Sequence, residues 1–281
     1  MMLGRIEEMQ RKILIIDDHD DLASSLESAF TAAGHTVEIL RNRIDAIAAT
    51  NIDDFDLVIT DLDVDNTDPE PHQNGNSGEC LPKLPEAKAG KRIKAFKLCA
   101  TNFRRDEFDE DELKNFVETV LNYKARFVDK TERVRQLHEK IEFELPSAIS
   151  PMHSILDYLT QRVEKLGVVN SEQSNLFVAL DEAFVNAVKH GNKFNAQKLV
   201  RITAELTRQE ARFTVEDEGE GFDVNSIPDP LDPENLFKTS GRGCLFICNI
   251  MDEVKYNERG NRVTMIKKSE NLKLAEGEKK S

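Results

Sequence analysis

The sequence predicts an α/β protein in two parts: a doubly wound parallel sheet in the N-terminal half and an α+β two-layer sandwich in the C-terminal half. Apolar runs at KILIID (12–17) and FDLVITDLD (55–63) end in carboxylates and alternate with helical periodicity, which is the βαβαβ order of a parallel sheet. Further on, two helical stretches precede a series of strands, an order that belongs to an α+β layer. With 281 residues, the chain is long enough for two cores at about 150 residues each.

In the first half, Leu22, Leu26, Ala29, Phe30 and Ala33 recur at three and four and make a helix that Gly34 stops. VEIL (37–40) is a second strand and IDAIAAT a short helix before the third strand. The stretch VDNTDPEPHQNGNSGE has loop chemistry, a helix around CLPKLPEAKA is compromised by Pro82 and Pro85, and IKAFKLCA (93–100) reads as a fourth strand of the same sheet. From Asp109 to His138 an apolar stripe through Leu113, Phe116, Val117, Val120 and Leu121 predicts a connecting helix, with a break near Arg126 or a dimer seam as alternatives.

IEFELP (141–146) opens the second part as a strand, followed by helices at 150–166 and 172–190 and strands at 200–207 and 212–219. A Pro- and Asp-rich loop, a helix near 242–251 and the strand NRVTMIKK complete it. The expected division is 11–108, a connecting helix at 109–140, a second domain at 141–268 and a disordered tail at 269–281.

The 38 Lys and Arg residues against 52 Asp and Glu leave a formal charge of −14, which repels phosphate backbones and disfavours direct nucleic-acid binding. The N-terminus places acids where a signal peptide needs a basic stretch, and no apolar window approaches the roughly 18 residues of a membrane span. A cytoplasmic location with no membrane partner is expected. Cys80, Cys99, Cys244 and Cys248 are too few and too scattered for a disulfide framework or a four-ligand metal site; Cys244 and Cys248 read as helix packing.

Asp17, Asp18, Asp61 and Asp63 are expected at the carboxyl ends of the first and third strands, where open α/β sheets place ligands. Crowded carboxylates call for a cation, and magnesium suits oxygen ligands; a solvated acidic edge is the bland alternative. The Asp17-Asp18 pair with Asp61 after a third-strand apolar run resembles the receiver domain of response regulators. The resemblance implies Asp61 as the phosphorylation site, the acid pair as magnesium ligands, a backbone carbonyl at Asp63, and an upstream histidine kinase or other phosphodonor. The sequence departs from the pattern at Cys99, where a Thr or Ser is usual, and in lacking a clear counterpart of the receiver lysine.

In LDEAFVNAVKHGN the buried stripe Leu176, Leu180, Phe184 and Ala187 leaves Glu182 and Asn186 one turn apart on another face. An Asn carbonyl can serve magnesium and a carboxylate can deprotonate a nucleophile. VEDEGEGFD ends a strand in Asp217, able to accept from an exocyclic amine, followed by Gly219 and Gly221, which let backbone approach a flat ring. SGRGCLFICNIMDEV sets Gly241, Arg242 and Gly243 at a helix start, where free N–H groups face phosphates, and Lys238 lies just upstream.

Together the three motifs resemble the GHKL (Bergerat-type) ATPases, above all their anti-sigma-factor serine-kinase branch. The resemblance implies ATP and Mg2+ as cofactors, Glu182 as catalytic base, Asn186 as magnesium ligand, Asp217 as adenine reader and 225–243 as a lid. It also implies a STAS-type antagonist or a sigma factor as partner. The expected protein is a receiver-regulated, ATP-dependent serine-protein kinase. A non-catalytic nucleotide-dependent binding switch is one alternative; an atypical histidine kinase labelled on His138 or His153 is another. His190, at a helix end, reads as a cap.

Overall fold

The computed structural model describes residues 10–20, 22–49, 51–64, 80–82, 93–106, 108–130, 138–169, 175–224 and 242–273. The elements are β1 (Lys12–Asp17), α1 (Ala23–Ala32), β2 (Thr36–Leu40), α2 (Arg43–Ala48), β3 (Leu57–Val64), β4 (Ile93–Cys99), α3 (Glu110–Tyr123), β5 (Glu139–Pro146), α4 (Met152–Leu166), α5 (Leu176–Val185), β6 (Leu199–Leu206), β7 (Glu210–Asp217), α6 (Arg242–Ile250), β8 (Glu253–Tyr256) and β9 (Arg262–Lys268). The nine strands among the described residues join one sheet in the order β2-β1-β3-β4-β5-β6-β7-β9-β8.

The N-terminal strands form as their composition dictates. In β1, Ile13 and Ile15 face the core shared with α1 and α3, while Leu14 and Ile16 face the α2 side, so the run is apolar without alternation. The Asp17 carboxylate starts α1 by accepting the N–H groups of Leu22 and Ala23, each at 2.8 Å. Asn42 caps α2 through the Asp45 N–H at 2.8 Å, and Asp109 caps α3 through the Asp111 N–H at 3.0 Å.

Beyond β3 the expected doubly wound parallel sheet is corrected. β1 pairs in parallel with β2 and β3, but β4 runs antiparallel to β3 and parallel to β5. A parallel neighbour for β3 needs a crossover, usually helical, and the sequence between β3 and β4 offers Pro, Gly and Asn instead of a helical stripe. The crossover helix is α3, which joins β4 to β5 as a βαβ unit. The expected connecting helix is therefore a packed core element, in contact with both α1 and α4. Hydrogen bonding and one apolar core continue across the expected boundary at 108–141, from Ile13 to Met265. α3 passes into a π-turn at Lys124–Val128, which is where the break near Arg126 was expected.

In the C-terminal half, β5, β6, β7, β9 and β8 pair antiparallel in sequence along the sheet, with α4, α5 and α6 packed in a row on one face. That is the expected two-layer sandwich, with one strand more: β8, an edge strand, was not read from the sequence. The other face is polar, with Lys97, Glu144 and Arg201 side by side on β4, β5 and β6. Residues 269–273, expected in the disordered tail, make a turn in which Leu272 and Lys273 donate to the Ser269 carbonyl at 3.1 Å.

Cys80 and Cys99 form a disulfide with their Cα atoms 5.6 Å apart, a single bridge where no disulfide framework was expected. Cys80 and Leu81 are buried beside β4 in the core on the α2 side, a return of the chain that the spacing of the cysteines does not reveal. Cys244 and Cys248 are free, Cys244 half-buried and Cys248 exposed.

Candidate functional site

The N-terminal carboxylates do not gather as expected. β1 ends at Asp17, but β3 runs on to Val64, so Asp61 lies inside its strand, paired with Asp17 on one side and Phe96 on the other. Asp17 is spent on capping α1. Asp18 accepts the Asp63 N–H at 2.9 Å and meets His19 Nδ1 at 2.6 Å, and His19 Nε2 lies 3.6 Å from Asp63. Burial opposes a charge on His19, but Asp18, Asp63 and Asp17 outweigh it and raise its pKa. The donor atoms brought within 4.8 Å of one another are those of Asp17, Asp18 and His19, so the expected magnesium set of Asp17, Asp18, Asp61 and Asp63 is divided.

Asp61 instead turns beneath the helices. Its two carboxylate oxygens lie 3.5 Å from Lys124 Nζ, which is also 3.2 Å from Asp129 and 4.9 Å from the centre of the Phe96 ring. Asp129 accepts from the Tyr158 hydroxyl at 2.9 Å, and Arg162 binds Glu139 at 2.7 Å. Lys124 and Glu139 are fully buried and Asp61 is 4% exposed. Burial opposes the charge on Lys124, but Asp61, Asp129 and Glu139 outweigh it and raise its pKa, so it stays an ammonium. With Asp61 closed off from solvent and ion-paired, the phospho-acceptor reading gives way to a structural one. Lys124 was missed: it is a lysine in the π-turn that continues α3, 63 positions from its partner.

Two hollows stand out in the C-terminal half. One of about 700 Å³, between the ends of α4, α5 and α6, contains Lys268 and Lys273, which are engaged by Glu253 at 3.1 Å and Asp252 at 2.8 Å. The other, about 620 Å³, gathers Glu182, Asn186, Asp217, Gly221 and Gly243 with an apolar wall that includes Val215, Phe222 and Ile247. Convergent polar groups against an apolar wall are the mark of a small-molecule site.

Each wall follows from local sequence. α5 buries Leu176, Leu180 and Phe184 as expected and continues as a π-turn, Asn186–Gly191, so Glu182 and Asn186 both reach the cavity from the α-to-π junction. Such π segments often sit at functional sites. β7 ends at Asp217, whose backbone is locked to Asn261: Asp217 N–H donates to the Asn261 carbonyl at 3.0 Å, and Asn261 Nδ2 donates to the Asp217 carbonyl at 2.7 Å. Asp217 Oδ1 accepts the Gly219 N–H at 2.7 Å. Phe222 and Tyr256 meet edge to face at 5.4 Å.

Five glycines around the cavity leave no room for a Cβ: Gly219, Gly221 and Gly260 lie against backbone, and Gly191 and Gly243 against carboxylates. A Cβ at Gly191 would collide with the Asp217 carboxylate, and one at Gly243 would collide with the Glu182 carboxylate. Gly191 had no assigned role in the sequence reading, although it was visible in the HGN triplet. Gly241, Lys238 and lid residues 225–241 lie outside the described residues, while Arg242 and Gly243 open α6. His190 is exposed at the cavity rim, and His153 pairs with Asp157 at 3.3 Å, an acidic neighbour the sequence reading did not find. The backbone carbonyl of His138 accepts from Lys94 N–H at 2.9 Å, directly before β5.

The donor set fits a magnesium nucleotide: a carboxylate at a strand end, an amide and a second carboxylate one turn apart, and a glycine at the start of a nine-residue helix. Burial is the largest influence on Asp217 and raises its pKa above that of an ordinary aspartate, against the Gly219 N–H, Lys198 and Arg259. An amine donor needs the carboxylate form. Affinity for a ring that bears an amine is therefore expected to fall as acid protonates Asp217, at a higher pH than for a solvated aspartate. Titration calorimetry at a series of pH values checks this, and Asp217→Asn is expected to lose that part of the pH dependence.

Residues 145–267 match the family described as the histidine kinase-like ATPase domain. The chain is 28% identical over 142 residues to the serine-protein kinase RsbW of Staphylococcus epidermidis, covering 48% of this chain and 89% of that protein. It is 27% identical over 135 residues to the serine-protein kinase RsbW of Staphylococcus aureus (strain Newman), covering 45% and 85%. Among the described residues no helix is long and apolar enough to cross a membrane.

Proposed function

We propose that the histidine kinase-like ATPase domain at residues 145–267 makes this chain a protein-serine kinase that takes its phosphoryl group from Mg-ATP. The observation that carries the reading is the convergence of Glu182, Asn186, Asp217 and Gly243 on one cavity. Phosphoryl transfer asks mainly for positioning and charge neutralisation, and these residues supply both.

Asp217 accepts from the exocyclic amine of adenine, against the apolar wall of Val215, Phe222 and Ile247. Asn186 offers its side-chain carbonyl to magnesium, and the first N–H groups of α6 face the phosphates. Bound magnesium would lower the negative charge that opposes an incoming hydroxyl. Glu182, next to Gly243, accepts the proton of the serine hydroxyl. Gly219 and Gly221 keep the turn after β7 close to the ring, and Asn261 holds Asp217 in place.

The partner is proposed to be a STAS-type antagonist carrying the acceptor serine, with a sigma factor as the protein released or sequestered. Incubating the chain with γ-labelled ATP and a STAS-domain partner tests this. Phosphoserine on the partner is the expected product; nucleotide binding without transfer would replace the kinase with a binding switch, and acid-labile label on His138 or His153 would point to histidine chemistry.

A further inference from the structure

Glu218 follows the adenine-facing Asp217 and, among the described residues, is held from four directions. Its N–H donates to Asn192 Oδ1 at 2.9 Å. Its carboxylate accepts the Leu199 N–H at 2.9 Å and Arg201 Nη2 at 3.2 Å, and lies 3.6 Å from Arg104 Nη1. Asn192 is itself buried and donates to the Leu199 carbonyl at 2.8 Å. It directly follows Gly191, the residue against which the Asp217 carboxylate packs. The peptide between Asp217 and Glu218 is thus fixed at both ends, by Asn261 on one side and by this cluster on the other.

Arg104 comes from outside the matched ATPase region. It belongs to the turn Thr101–Arg105 after β4, and its Nη1 also donates to the Gln197 carbonyl at 2.8 Å. The same turn is tied to the approach to β3. Asn102 Nδ2 donates to the Asp53 and Phe55 carbonyls at 2.9 and 2.7 Å, and Arg105 Nη1 donates to the Asp53 carbonyl at 2.6 Å. Phe103 anchors it in the core with the Arg11 guanidinium 4.4 Å above its ring. On the polar sheet face Arg201 donates to Glu144 at 2.9 Å, and Lys97 of β4 meets Glu144 at 3.1 Å. Two routes therefore run from the N-terminal half to Glu218, one through Arg104 and one through Lys97, Glu144 and Arg201.

We propose that Arg104 is a positioning residue of the nucleotide site: by holding Glu218 it orients Asp217, so the Thr101–Arg105 turn of the N-terminal half sets the affinity for adenine nucleotides. This rests on the nucleotide reading above. Arg104 touches no nucleotide itself. Because the Arg104 and Glu218 side chains are 31% and 32% exposed, solvent screens the pair and its effect is modest.

The test measures ADP and inosine diphosphate affinity by titration calorimetry on the full chain, with melting temperature alongside. Arg104→Gln is expected to weaken ADP binding about two- to five-fold and inosine diphosphate binding less, because inosine lacks the amine that Asp217 reads. Arg104→Lys is expected to restore most of the affinity. Glu218→Gln should behave like Arg104→Gln, and the double variant should be no worse than either. Arg212→Gln, in an exposed pair with Glu210 at 3.3 Å, is the control that leaves binding unchanged. Wild-type affinity in Arg104→Gln, or an equal loss for both nucleotides with a lowered melting temperature, overturns the proposal. Absence of ADP binding by the unaltered chain overturns the nucleotide reading itself, and is distinct from both.

Discussion

Replacing Lys124 with alanine is expected to cost about 3–5 kcal/mol of folding stability, because it leaves Asp61 buried without its ion-pair partner. Asp61 would lose its cation while Asp129 would keep Arg162 at 3.5 Å, and the tie between β3 and the end of α3 would be gone. Against a total of about 5–15 kcal/mol for a typical domain, such a loss brings the chain near its unfolding threshold. Asp61→Asn is expected to do less harm, since Lys124 keeps Asp129 as a partner at 3.2 Å. Urea denaturation of the full chain, followed by far-UV circular dichroism, reads the difference as a lower midpoint at an unchanged slope. A Lys124→Ala midpoint indistinguishable from wild type would contradict the structural role given to Asp61 and Lys124.

Glu182→Gln is expected to slow phosphoryl transfer to the serine partner by about 10²- to 10⁴-fold, the usual contribution of a positioned general base. Nucleotide affinity should stay within about two-fold of wild type, because glutamine keeps the shape beside Gly243 and the adenine contact is made by Asp217. Single-turnover assays with labelled ATP separate the two quantities. If Glu182→Gln transfers phosphate at the wild-type rate, another group takes the proton. If it fails to bind nucleotide, Glu182 holds the pocket together.

Much of this architecture was legible in the residues. KILIID and LVITDLD are apolar on both faces because both faces of β1 and β3 are covered. The Leu176, Leu180 and Phe184 stripe put Glu182 and Asn186 together on the cavity side, and the strand ending at Asp217 delivered the third group. The direction of β4 was not legible, since the apolar pattern of IKAFKLC reads alike in both orientations. What decides it is the Pro-, Gly- and Asn-rich composition between β3 and β4 and the presence of α3 after β4. Chain length and the change of element order at 141 suggested two domains, where the described strands form one continuous sheet.

The missed residues share a cause. Lys124, Glu218 and Arg104 are ordinary charges in charged surroundings, and their roles come from partners 63, 19 and 114 positions away, brought close by the sheet and its helices. Sequence spacing registers neighbours on one element; it does not register these. β8 escaped for a different reason, as a four-residue, half-exposed edge strand with little apolar pattern.

The central claim is that the cavity lined by Glu182, Asn186, Asp217 and Gly243 takes an adenine nucleotide with magnesium. Isothermal titration of Mg-ATP into the full chain tests it most directly. Saturable binding of one nucleotide per chain, weakened by Asp217→Asn and by omitting magnesium, is the predicted result. No heat of binding at millimolar nucleotide, or binding that Asp217→Asn leaves untouched, would contradict it.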